Sequence, residues 1–173
     1  MLSGHFQGRV LSMLSKLVRP MRILEVGTFT GYASLCLAEG LREEGLLHTV
    51  DINEEQQERV QGYFDASPLG KQIVYHIGDA AEIIPTIEGD FDLVFIDADK
   101  KRNLFYFEML IERVPSGGLI LIDNVLWKGK VLEDQPDSQT KRVLELNEIL
   151  TKDTRVEKMI LPIRDGLFVL RKK

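Results

Sequence analysis

The stretch Arg22-Ile23-Leu24-Glu25-Val26-Gly27-Thr28-Phe29-Thr30-Gly31-Tyr32 decides the fold. From Ile23 to Val26 it is apolar apart from one acid; it then breaks into glycines and hydroxyl residues and opens a run with helical spacing. An apolar run without polar alternation is a strand covered on both faces, and glycine at its carboxyl end lets backbone approach a ligand closely. The two glycines stand as Gly-x-x-x-Gly, without the extra glycine of the dinucleotide fingerprint Gly-x-Gly-x-x-Gly. That spacing supports an uncharged ribose and sulfonium chain better than a cradled pyrophosphate.

Four more apolar runs, at residues 47–52, 73–77, 91–97 and 118–123, alternate with helical spacing at 32–42, 54–66 and 104–114 and a short turn near 80–87. Such alternation predicts repeated βα units and a parallel sheet. Ahead of them Phe6, Val10, Met13, Leu14 and Leu17 recur at three- and four-residue steps, an amphipathic helix that ends before Pro20 and is expected to pack on the sheet. After the fifth strand a polar segment, 128–139, is expected as a loop beside an active site. A helix follows, with Val143, Leu144 and residues 146–150 as its apolar face. The chain closes with β-rich runs at 156–163 and 167–171 around Arg164-Asp165-Gly166, whose Asp-Gly pair signals a hairpin. A nicotinamide-binding Rossmann domain would continue with parallel units instead. The expected fold is therefore α/β: a three-layer, doubly wound, mostly parallel seven-stranded sheet with a C-terminal antiparallel hairpin. This is the Rossmann-like class I arrangement of many S-adenosylmethionine-dependent methyltransferases.

The composition fits one domain over residues 1–173: 44% hydrophobic and 28% charged, with no repeat or linker. No apolar run approaches the ~18 residues of a membrane span, and the N-terminus carries no secretory apolar core. The lone Cys36 cannot close an internal disulfide and is expected as a core residue, which leaves the cytoplasm as the default compartment. Net charge is −5 and neither sign gathers into a block, which argues against electrostatic nucleic-acid binding. Lys101 and Arg102 are expected to be solvated. His5, His48 and His76 stand apart from one another and from the acids in sequence, and are expected to be surface or structural.

The chemistry-bearing residues fall at strand ends. Asp51 closes the second strand, where a carboxylate accepts hydrogen bonds from ribose hydroxyls; its competing role is a helix N-cap. Gly78-Asp79-Ala80 closes the third and offers a polar group beside a small residue for an adenine, or a simple turn. Glu25 lies inside an apolar strand and needs partners there, either in the ligand cleft or in a hydrogen bond to the loop. Asp97 follows strand four, and Asp123 and Asn124 follow strand five. Two carboxylates and an amide oxygen on neighbouring strands suit Mg²⁺, Ca²⁺ or Mn²⁺, unless the acids are helix caps. Lys100, three residues after Asp97, is a candidate base near such a cation. Trp127 either walls a flat aromatic substrate or is core.

Five ordered motifs, spanning nearly the whole chain, resemble the cation-dependent O-methyltransferases that include catechol and caffeoyl-coenzyme A O-methyltransferases. They are Glu25-Val-Gly-Thr-Phe-Thr-Gly-Tyr32, Val50-Asp51-Ile-Asn53, Gly78-Asp79-Ala80, Phe95-Ile-Asp97-Ala-Asp99-Lys100 and Gly117-Gly-Leu-Ile-Leu-Ile-Asp123-Asn124-Val-Leu-Trp127. The resemblance implies S-adenosylmethionine held by Met1, Glu25, Gly27, Thr28, Gly31, Ser34, Asp51, Asp79, Ala80 and Asp97. It further implies a metal on Asp97, Asp123 and Asn124, a base at Lys100, and a catechol-like acceptor beside Lys100 and Trp127, in a homodimer. Some bacterial relatives methylate a hydroxylated nucleoside of transfer RNA, which is the alternative acceptor; a cofactor-binding protein with reduced turnover is the other. The sequence departs from the family pattern at Ala33, where relatives carry serine and Ser34 is a candidate substitute that helical geometry turns elsewhere, and at Arg102-Asn103, where many members carry Asn-Tyr. The family's N-terminal helices are expected to be absent before residues 1–7.

Overall fold

The computed structural model describes residues 4–173; Met1, a predicted cofactor contact, lies outside them. Seven strands form one sheet: β1 (Arg22–Val26), β2 (Leu46–Asp51), β3 (Ile73–Ile77), β4 (Leu93–Ile96), β5 (Leu119–Asp123), β6 (Val156–Leu161) and β7 (Leu167–Lys172). Their order is β3-β2-β1-β4-β5-β7-β6. The first five run parallel, and β7 inserts antiparallel beside β5, with Ile120 opposite Leu170. The predicted hairpin is present, β6 pairing antiparallel with β7.

Helices cover both faces because the central strands bury side chains on both sides. One layer holds α1 (Gly4–Val18), α2 (Tyr32–Ala38) and α3 (Gln57–Asp65), which bring Leu11, Leu37, Val60 and Phe64 against Ile23, Leu47 and Phe95. The other holds α4 (Ala80–Ile83), α5 (Asn103–Leu110) and α6 (Ser138–Lys152), with Ile84, Phe107, Leu110 and Leu150 against Leu24, Val94 and Ile122. Cys36 is buried in α2, as expected of a core residue. α1 is tied to the end of α2 by Ser15 Oγ, which donates to Leu37 O at 2.6 Å, and by Ser12 and Lys16, which reach Glu39 at 2.8 and 2.7 Å.

Element ends differ from the sequence expectation where capping decides them. α2 stops at Ala38 rather than Arg42. The segment 128–139 is not one loop: residues Trp127–Leu132 form 3-10 turns around a kink, and α6 begins at Ser138, capped by Asp137, which accepts from Thr140 N at 2.7 Å. His48 and His76 are not apart: they stack across β2 and β3, with Nδ1 and Nε2 3.1 Å from each other.

Strand order reverses between β1 and β4, and at that switch point a doubly wound sheet opens a crevice for ligands at its carboxyl edge. α2 starts there on Gly31, whose φ of +74° is left-handed; a Cβ on it would lie 2.6 Å from the Phe64 ring. Gly31→Ala therefore combines a left-handed penalty of about 1 to 2 kcal/mol with an overpacking cost of about 1 to 3 kcal/mol. It should lower Tm by roughly 5 °C or more in a thermal melt; an unchanged Tm would show that Phe64 moves aside freely.

Candidate active site

At the switch point a cleft of about 410 Å³ is lined by Gly27 and Phe29 after β1, Asp51 and Ile52 after β2, Asp79 and Ala80 after β3, and residues 97–99 after β4. Its volume falls within the range of small-molecule sites. Gly27 has φ +103°, and a Cβ there would come within 2.4 Å of the Asp97 carbonyl oxygen, so the two strand ends touch through backbone. Asp51 fixes the floor: its Oδ2 accepts from Phe29 N at 2.7 Å and its Oδ1 from Asn53 N at 2.9 Å. The helical turn that follows is capped by Asn53, not Asp51. Asp79 does cap α4, accepting from Ala81 N at 2.9 Å.

Arg102, expected in solvent, instead spans the cleft's far end. Its Nη1 lies 2.9 and 3.0 Å from the two carboxylate oxygens of Asp79, and its guanidinium rests 5.5 and 5.2 Å from the Phe105 and Tyr106 ring centroids. This bond holds the Asp79 carboxyl below its ordinary range, with help from the Ala81 amide. Sequence spacing gave no sign of the pair, because it joins loops 23 residues apart.

Beside the cleft the ends of β4 and β5 bring the acids together. Lys100 Nζ is 2.8 Å from Asp97 Oδ1, both side chains being largely buried. Asp123 is buried too, and burial followed by the nearby charge of Asp97 pushes its carboxyl up. Asn124 sits left-handed at φ 64°, and its N–H donates to Asp123 Oδ1 at 2.9 Å. Gln7 of α1, which the sequence did not single out, is buried with its amide nitrogen near the Asp123 carboxyl, short of a full hydrogen bond. Its Oε1 lies 3.4 Å from Arg164 Nη1. The buried face of α1 is Gln7, Gly8, Leu11, Ser12 and Ser15, whereas Phe6, Met13 and Leu17 of the expected apolar face are exposed, so hydrophobic periodicity pointed away from Gln7.

A family model described as O-methyltransferase matches residues 1–173. Caffeoyl-CoA O-methyltransferase 1 of Eucalyptus globulus is 36% identical over 179 residues, covering 96% of this chain and 72% of that protein. The O-methyltransferase TomG of Streptomyces achromogenes, solved with S-adenosylmethionine, superposes with a TM-score of 0.90 at 28% identity, over 98% of this chain and 81% of its own. An O-methyltransferase of Bacillus cereus, solved in complex with S-adenosylhomocysteine, gives 0.90 at 27%, over 98% and 82%. The chain belongs to the O-methyltransferase family. It is an S-adenosylmethionine-dependent O-methyltransferase.

Of the predicted donor contacts in this O-methyltransferase, Gly27, Asp51, Asp79, Ala80 and Asp97 line the cleft. Glu25, Thr28 and Ser34 form a buried network beneath it, and Gly31 caps α2. Glu25 Oε2 accepts hydrogens from Thr49, at 2.6 Å, and from Ser34. Thr28 Oγ1 lies 2.6 Å from Thr49 Oγ1 and, since the Thr49 hydrogen is committed to Glu25, Thr28 donates. The Ser34 hydroxyl is thus engaged inward, so it does not take over the position that Ala33 leaves without a hydroxyl.

Burial pushes the Glu25 carboxyl up to about 8, aided by the charges of Asp97 and Asp51 and opposed by the two hydroxyls. The folded state then binds a proton that the unfolded chain has released, so stability falls as pH rises from about 4.5 through 8. His48, whose pKa burial lowers to about 4, is already neutral in both states above its ordinary 6.5. Across pH 6.5 to 8 Glu25 contributes a loss on the order of 2 kcal/mol, while Asp123, which burial also pushes up, and the histidines, which it pushes down, act alike in parent and variant. Denaturant midpoints across that window should decline more steeply in the parent than in Glu25→Gln; equal slopes would place the proton elsewhere.

Proposed function

We propose that this O-methyltransferase methylates one hydroxyl of a catechol-like small molecule with the help of a divalent cation. The observation that carries the reading is the meeting of Asp97, Lys100, Asp123 and Asn124 at two adjacent strand ends, next to the donor cleft. Two carboxylates faced by a single ammonium leave an uncompensated negative charge, and their oxygens with the Asn124 amide are hard donors suited to Mg²⁺, Ca²⁺ or Mn²⁺. Among the described residues no three His, Cys, Asp or Glu side chains gather as ligands, so the third ligand of this reading is the amide. A cation held there would lower the pKa of a bound hydroxyl and orient its oxygen.

The chain's own residues supply the rest. Asp51 accepts hydrogen bonds from the donor's ribose, while Asp79 and Ala80 flank its adenine. S-adenosylmethionine presents an electrophilic sulfonium methyl and leaves as S-adenosylhomocysteine. A cation held beside Lys100 would disfavour its ammonium form, and the neutral Lys100 Nζ, oriented by Asp97 at 2.8 Å, would then take the proton of the acceptor hydroxyl; Trp127 flanks the acceptor. Rate comes from positioning, since the nucleophilic oxygen and the methyl are held for an in-line displacement. The same reading places the protein in the cytoplasm as a homodimer. Among the described residues no helix is long and apolar enough to cross a membrane, and α1 exposes Phe6, Met13 and Leu17 at 64%, 59% and 74%.

Asp97→Ala should lose at least about a hundredfold in methyl transfer to catechol with Mg²⁺, with its melting curve little changed, and chelator should reduce the parent as far. Chelator-resistant transfer, or full activity in Asp97→Ala, would sink the metal-assisted mechanism.

A further inference from the structure

Next to Lys100 lies a second, small cavity, lined by Asp99, Lys100, Lys101, Trp127, Gln139 and Arg142 and holding about 60 Å³. A water takes up about 30 Å³, and a cavity that admits benzene is about 150 Å³. This one takes a carboxylate- or phosphate-sized group and no aromatic ring. Its lining carries three cations against one carboxylate, in a chain whose net charge is −5.

The cations are not equally engaged. Lys100 is committed to Asp97. Lys101 and Arg142 are exposed, and neither side chain has an ion-pair or hydrogen-bond partner among the described residues. Asp99 is engaged with backbone, its Oδ1 accepting from Lys101 N at 3.1 Å. Trp127 keeps its indole Nε1 buried without a partner. Against the Gln139 carbonyl and the remaining charge of Asp99, the lining offers the cations of Lys101 and Arg142 and the indole N–H, an inventory in which donors and positive charge prevail and an anion is satisfied.

We propose that the acceptor carries an anionic group, carboxylate or phosphate, beyond its hydroxylated ring, and that this group seats between Lys101, Arg142 and Trp127. The inference rests on the O-methyl transfer reading and narrows its substrate class. With its diol at Asp97 and Asp123, an acceptor can extend past Lys100 into this cavity, and the ring remains outside against Trp127.

Trp127 is the only tryptophan in the chain, so intrinsic fluorescence reports on this cavity without any need for turnover. Catechol, 3,4-dihydroxybenzoate and 3,4-dihydroxybenzyl phosphate would be titrated into the parent, Lys101→Ala and Arg142→Ala. In parallel, methyl transfer to each would be measured with Mg²⁺. The parent should bind one or both anionic acceptors at least about tenfold more tightly than catechol, and the tighter one identifies the group. Each variant should cut that ratio about fivefold, chiefly through KM when transfer is measured. A parent that does not discriminate, or a ratio unchanged in both variants, overturns the proposal. Transfer to all three acceptors without preference refutes the anion subsite and leaves the methyl-transfer reading standing. Anion-selective binding with no transfer to any acceptor supports the subsite and defeats that reading instead.

Discussion

The approach of Gly27 to the backbone of Asp97 is the constraint on which the rest of the site depends. β1 and β4 are neighbours at the point where strand order reverses, and Asp97 N donates to Val26 O at 2.9 Å while Gly27 N donates to Val50 O at 2.9 Å. With no Cβ between them, the loop after β1 and the loop after β4 leave the sheet in contact and then diverge, which opens the cleft. The cleft and the acidic edge are neighbours because these two loops are. A bulkier residue at Gly27 would force the strand ends apart and separate the donor's floor from Asp97.

Such an edge concentrates carboxyl groups: Glu25, Asp51, Asp97 and Asp123 come from four adjacent strands. Coulomb repulsion at these separations is large when solvent is excluded, and the structure relieves it by giving the four different environments. Glu25 is wholly buried and holds a proton at neutral pH, so it contributes hydrogen bonds and no charge. Asp51 is half-buried with two backbone amides, and Asp97 has the Lys100 ammonium. Asp123 is left as the acid with least compensation, and it is beside Asp97. The negative potential is therefore concentrated between β4 and β5, not spread along the edge.

The parallel strands were legible because each is a short apolar run bounded by polar or glycine residues, and the acids were legible because each ends such a run. What escaped the sequence depends on contacts between distant segments. Glu25 could be marked as a buried acid, yet its partners Thr49 and Ser34 come from another strand and from the inner face of α2. Ser34 lies only three residues after Gly31, and nothing in that spacing names Glu25 as the group its hydroxyl meets. Arg102 lies in a run of three cations that reads as solvated surface; only the fold brings Asp79 to it. The extent of α6 was missed for a local reason, since Asp137 caps a first turn made of polar residues that periodicity assigns to a loop.

The C-terminal hairpin served first as a marker separating this fold from nucleotide-binding relatives, but its position in the sheet gives it a direct part in the site. By inserting antiparallel beside β5, β7 brings the hairpin turn to the same edge as Asp123. There Leu126 N donates to Asp165 O at 2.8 Å, Val125 N to Gly166 O at 3.2 Å, and Lys128 N to the Asp165 carboxylate. These bonds fall in a segment where Asn124, Trp127 and Lys128 all hold left-handed backbone, at φ 64°, 48° and 55°. Non-glycine residues adopt that conformation at a cost and keep it only where surroundings impose it. The hairpin turn imposes it, and through Arg164 it also reaches Gln7 next to Asp123. A parallel strand in the place of β7 would enter the sheet from the opposite end and carry no turn to this edge. The antiparallel insertion is thus what holds Asn124 and Trp127 in place beside Asp123 at this edge of the sheet.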